Sequence, residues 1–156
     1  MGGAACARSG GYHNPPKALV PGTGHQHVNP LTVEGLVPYA HVADLTRSIR
    51  FYRRLGFVVE DTSDYDGRLA WASLRCGNAR LMIALATAPV EPERQAVLFY
   101  LHARNVAGIR KQLLEDGVEI SEIRHPEYMP AGEVAFYDPD GYCLVIGQPE
   151  MLGKQV

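Results

Sequence analysis

The chain has 156 residues, with fifteen basic and seventeen acidic side chains and a net charge of -2. That length suits one domain or two small modules sharing a core, and an apolar fraction of 46% is enough to build one. The charge balance argues against nucleic-acid binding, and no apolar run approaches the roughly 18–20 residues needed to span a bilayer.

The first thirty residues hold ten of the chain's glycines and prolines and almost no large apolar side chains. Such a segment cannot bury enough surface to offset its ordering entropy, so residues 1–33 read as a flexible arm. His13, His25 and His27 lie in it and read as solvated side chains. No apolar stretch precedes a small-residue cleavage site, and Cys6, Cys76 and Cys143 lack metal-type spacing. Reduced thiols in a cytoplasmic protein are therefore expected.

Residues 36–42 (LVPYAHV) predict a short strand with an irregular start at Pro38. Asp44 is a good N-cap. Leu45, Ile49, Tyr52 and Leu55 then recur at helical spacing, and Gly56 stops the helix. The segments FVVE, LAWASLR and ARLMIALA predict three strands, separated by the turn residues DYDG and CGN. Residues 88–95 (APVEPERQ) read as a linker. The pattern then restarts. VLFYLHA predicts a strand, Asn105 a cap, Val106, Ile109 and Leu113 a helical stripe, and Gly117 its stop. VEISEIR, GEVAFY and YCLVIGQ predict three more strands, with DPDG turning before the last.

A shift of 61 residues places Tyr39 on Tyr100, His41 on His102, Asp44 on Asn105 and Gly56 on Gly117. Coincidence of caps and stops as well as of side chains points to a duplicated module. The expectation is an α+β fold of two βαβββ modules, residues 34–87 and 96–149, with a short tail at 150–156. Two such sheets can curl around a cavity that takes a ligand.

The segments PYAHVADLTRSIRFYRRLGF, GNARLMIALA and PAGEVAFYDPDGYCLVIGQ resemble the vicinal oxygen chelate superfamily. That superfamily includes glyoxalase I, extradiol dioxygenases, and bleomycin- and fosfomycin-resistance proteins. The resemblance covers residues 34–149 and implies paired βαβββ modules forming curved sheets around a pocket, often completed in a homodimer. It says little about activity, because the fold hosts several chemistries. In metal-dependent members a His, Gln or Glu stands seven residues before the capping Asp, and a Glu four residues after the DPDG glycine. Here the corresponding residues are Val37 and Val145, with Leu98 and Met82 at the related positions. None offers an oxygen or nitrogen donor, so no metal or other cofactor is expected.

Period-2 alternation nominates the pocket lining. Val37, Tyr39 and His41 share one face, as do Leu98, Tyr100 and His102. Trp71, Ser73 and Arg75 share another, as do Glu133, Ala135 and Tyr137. His41 and His102 are the acid–base candidates, because His titrates near neutrality. Glu133 is a third candidate, or else a surface charge or a partner for Arg75 or Arg80. Arg47, Arg50, Arg53 and Arg54 read as a solvated helix face, and the DPDG aspartates as turn formers. The leading expectation is a metal-independent protein that binds an aromatic or cationic small molecule, such as an antibiotic. The alternative is a lyase, isomerase or dioxygenase using His41, His102 and Glu133, with or without a displaced metal. A regulatory or structural interaction module is the third.

Overall fold

The computed structural model describes Val33 and residues 35–150. The arm, its histidines, Cys6 and most of the C-terminal tail lie outside the described residues. In chain order the elements are β1 (Tyr39–Val42), α1 (Leu45–Arg54), β2 (Val58–Tyr65), β3 (Arg68–Cys76), β4 (Ala79–Leu85), β5 (Leu98–His102), α2 (Val106–Glu115), β6 (Glu133–Tyr137) and β7 (Cys143–Gly147). The first sheet has the order β1-β4-β3-β2, and the second β5-β7-β6. β1 runs parallel to β4 and β5 parallel to β7, and the other neighbours are antiparallel.

Both helices begin and end as their sequences dictate. Asp44 accepts the Arg47 N–H at 2.9 Å, and Asn105 accepts the Gly108 N–H at 2.9 Å. Each satisfies a donor that the first helical turn leaves unpaired. Gly56 and Gly117 follow the last turns with positive φ. The helices pack on the core-facing sides of the sheets, α1 on β3 and β4 and α2 on β6, and one apolar core runs through both modules. Val42, Leu45, Tyr52, Leu74, Ile83, Val106, Leu113 and Leu144 are fully or nearly fully buried in it. Phe51 of α1 packs against Phe136 of β6, and Tyr142 stacks on Phe99 of β5.

Two segments differ from the sequence reading. Residues 118–124 form isolated bridges, Ile120 to Phe136 and Arg124 to Glu133, and not a strand. The Ser121 N–H donates to the Ala135 carbonyl, but the return bond from the Ala135 N–H goes to the Ser121 hydroxyl. A side chain has taken the place of a ladder partner. Residues 88–95 are not a free linker either. Pro92–Arg94 form a 3-10 turn, and a Cβ at Gly141 would lie 2.5 Å from the Pro92 Cα, so the connector is seated on the DPDG glycine.

The Asp138–Gly141 turn also does more than reverse the chain. Asp138 Oδ1 accepts the N–H groups of Asp140 and Tyr142, which closes the turn. Its Oδ2 accepts the Tyr52 hydroxyl of α1 at 2.8 Å. Asp140 Oδ1 accepts the Ala43 N–H at 2.8 Å and Arg47 Nη2 at 3.0 Å, and Oδ2 accepts the Ser48 hydroxyl at 2.9 Å. Arg47 is exposed with the other arginines of α1, but its guanidinium reaches back to the buried Asp140. Burial holds the Asp138 carboxyl above its ordinary range, although three hydrogen bonds pull it down. Asp140→Ala leaves Ser48, the Ala43 N–H and Arg47 without their shared acceptor. It is expected to cost about 2–4 kcal/mol in urea unfolding, and a cost within error of zero would contradict this role.

Candidate functional site

The faces of the sheets turned away from the core carry the residues nominated from sequence. In β1, Ala40 and Val42 are buried while Tyr39 and His41 are exposed, which is the expected alternation. Register then assembles two rows across the first sheet. Tyr39 pairs with Met82 and Met82 with Ser73, and His41 pairs with Ala84 and Ala84 with Trp71. Val37 lies just before β1, where the Pro38 carbonyl accepts the Met82 N–H.

The second sheet repeats the pattern. Its rows are Leu98–Cys143–Tyr137, Tyr100–Val145–Ala135 and His102–Gly147–Glu133. Tyr39 contacts His41 with ring centroids 5.5 Å apart, and Tyr100 contacts His102 at 5.6 Å. The two Tyr–His pairs thus occupy equivalent places. Tyr39 is 53% exposed and Tyr100 42%. All the nominated residues of each module share one face, but the two faces do not close on each other as walls of either cavity beside them. One cavity, of about 420 Å³, is lined by His41, Tyr142 and the connector residues Thr87, Glu91, Arg94 and Gln95. The other, of about 160 Å³, is a crevice between the modules that reaches Pro38, Leu81, Leu98, Phe99 and Tyr100.

Glu133 departs from the reading of a surface charge. It is 2% exposed, and its partners are neither Arg75, which pairs with Glu60, nor Arg80. Oε2 accepts the Tyr100 hydroxyl at 2.7 Å, and Oε1 accepts the Tyr128 hydroxyl at 3.1 Å and Arg124 Nη2 at 3.4 Å. Burial and the neighbouring carboxylate hold the Tyr100 phenol well above its usual range, so it stays a donor. Gly147 makes this geometry possible. A Cβ there would lie 2.7 Å from the Tyr100 hydroxyl and 2.9 Å from the Met129 methyl.

Sequence reasoning missed Arg124, Tyr128, Met129 and Gly147. Tyr128 and Met129 lie in irregular chain, where no period marks a face, and Arg124 ends the segment expected as a strand. Tyr142 was also missed; its hydroxyl accepts the His41 N–H and donates to the His41 carbonyl, both at 3.2 Å.

At the positions where the resemblance implies metal ligands, the donor set does not fit a divalent ion. Leu98 and Val145 pack with Ala135 and Cys143 in a small apolar cluster. Val37 and Met82 add an alkyl group and a thioether, and hard or borderline ions require several oxygen or nitrogen donors. Among the described residues, no helix is long and apolar enough to cross a membrane.

A family profile described as the glyoxalase/bleomycin resistance protein/dioxygenase superfamily matches residues 26–146. The chain belongs to this superfamily. A bleomycin-binding protein solved in complex with bleomycin is similar, at 22% identity and a TM-score of 0.61, covering 76% of this chain and 100% of its own. TnmS3, an antibiotic-binding protein from Streptomyces sp. CB03234, gives 20%, 0.57, 76% and 98% in the same order. The fosfomycin resistance protein FosX from Listeria monocytogenes, complexed with Mn(II), gives 14%, 0.63, 77% and 95%. At these identities the likeness establishes the fold. No curated protein matches the chain in sequence. The superfamily fold agrees with the paired-module architecture described above.

Gly147→Ala is expected to drive Tyr100 off Glu133 and to destabilise the chain by about 1–3 kcal/mol. Urea unfolding of the variant measures this, and an unchanged midpoint would show that the close packing over Gly147 is not required.

Proposed function

We propose that this member of the superfamily is a metal-independent small-molecule-binding protein that sequesters a planar aromatic compound, such as an antibiotic, without breaking bonds in it. The observation that carries the reading is the side-chain chemistry at Val37, Met82, Leu98 and Val145, where apolar groups stand in place of metal ligands. The aromatic faces above them support it. Tyr39 and Trp71 on the first sheet, and Tyr100 and Tyr137 on the second, offer ring surfaces beside an apolar floor. Binding sites of this kind draw affinity from apolar burial and ring stacking, with a few polar groups fixing orientation.

Each face is half a pocket in the single chain, and in this reading a second copy supplies the other half. The exposure of Tyr39 and Tyr100 supports that closure, since a pair of open aromatic faces is a costly surface to leave to water. Sedimentation equilibrium at micromolar concentration should then give twice the 17.1 kDa chain mass.

The single tryptophan, Trp71, reports on the first face. A panel of planar aromatic compounds, screened with EDTA present, should contain one that changes Trp71 emission. At a hundredfold excess over Kd the same compound should raise Tm by about 5–10 °C, following a linkage gain of about 2.7 kcal/mol. If binding disappears in EDTA and returns with Zn, Mn, Ni or Fe, the metal-free reading is wrong. If no compound in the panel binds, the sequestration reading is wrong.

A further inference from the structure

We infer that the face of the second sheet recognises a cationic amine at Glu133, and that in the free chain the Arg124 guanidinium occupies the place of that cation. The inference rests on the small-molecule reading above and assigns the chemical class of ligand for this half of the site.

Glu133 sits at the end of β6, in the row His102–Gly147–Glu133, and its carboxylate is almost fully withdrawn from water. Two of its three side-chain partners are neutral phenols, so they satisfy lone pairs without balancing the charge. Among the described residues, Arg124 is the only formal cation bonded to it. Its contact is the longest of the three at 3.4 Å, against about 2.7–2.9 Å for a well-formed charge-assisted hydrogen bond. The Arg124 side chain is also half exposed. The one charge that neutralises Glu133 is therefore the partner most easily exchanged.

The surroundings suit a replacement. A carboxylate offers about four acceptor positions. Three are in use, which leaves one on Oε2. A primary ammonium brings three donors on one small centre, so it can take the free position on Oε2 and the position held by Arg124 on Oε1. Tyr100 and Tyr128 reach the carboxylate through different oxygens, and Tyr100 is about half exposed, so its ring can meet a cation bound there and an aromatic body attached to it. The absence of a side chain at Gly147 keeps the floor low where the Tyr100 hydroxyl crosses. An anionic ligand would meet a buried carboxylate here, and a neutral one would leave its charge to Arg124.

The test compares 3-phenylpropylammonium with its neutral counterpart 3-phenyl-1-propanol by calorimetric titration at low salt. On the unaltered protein the ammonium should bind about tenfold more tightly than the alcohol. Arg124→Gln should tighten the ammonium further and leave the alcohol unchanged, because the competing internal cation is gone. Glu133→Gln, which keeps an acceptor for Tyr100, should erase the difference between the two compounds. Should Glu133→Gln fail to fold, Arg124→Gln decides alone, since a purely structural arginine would not strengthen ammonium binding when removed. Equal binding of the two compounds, or an ammonium affinity that is unchanged or weaker in Arg124→Gln, overturns the inference while leaving small-molecule binding standing. If neither compound binds any of the three proteins, the small-molecule reading of this face falls with it.

Discussion

The structure depends on two carboxylates that the second module inserts against the first. Asp138 and Asp140 lie in one turn, both nearly inaccessible, and between them they engage Tyr52, Ser48, Arg47 and the Ala43 N–H. Buried carboxylates are tolerated only when their acceptor positions are filled. Here the donors come from α1 and from Ala43 just before its cap, so the turn is satisfied only if the two modules sit in one relative placement. The apolar core supplies most of the driving force but is less directional. The carboxylates supply the register.

That placement has consequences at a distance. Once α1 is held by the turn, the core-facing sides of β1 and β4 are covered, and Tyr39, His41, Trp71, Ser73 and Met82 fall on the other side. The Tyr142 hydroxyl, one residue beyond the turn, bonds both backbone groups of His41 and ties the edge of β1 to the second module. The connector closes over Gly141, where any side chain would strike Pro92. One turn thereby fixes the two modules, the edge of the first face and the wall of the cavity beside His41.

Much of this was legible in the sequence. The helices were marked by Asp44 and Asn105 at one end and Gly56 and Gly117 at the other, because caps and stops are local chemistry. The faces were marked by alternation, and the 61-residue repeat placed the two Tyr–His pairs in equivalent rows. What escaped depends on contacts between distant segments. Nothing near Arg47 marks it as the partner of Asp140, 93 positions away. Glu133 has the sequence surroundings of a strand-end surface charge, and only the fold brings Arg124, Tyr128 and Tyr100 onto it. Residues 118–124 carry a strand composition, but Ser121 offers a hydroxyl where the ladder offers a carbonyl, and a short side chain that can imitate backbone is invisible to periodicity. Gly147 reads as a weak point in a strand until the Tyr100 hydroxyl is seen above it.

The two faces are alike in origin and different in chemistry. The first carries an indole, a phenol and an imidazole over Met82 and Ala84. The second carries a buried carboxylate under two phenols. A ligand held between such faces would meet a ring-stacking wall on one side and a charge-bearing wall on the other. Amide chemical-shift mapping of the isotope-labelled chain, titrated with an aromatic amine, separates binding on these faces from binding in the cavity under the connector. Shifts should concentrate in β1, β3 and β4 around Tyr39, Trp71 and Met82, and in β5–β7 around Tyr100 and Glu133. Shifts confined to residues 86–95, with both sheets unmoved, would put the ligand under the connector and rule out the two faces.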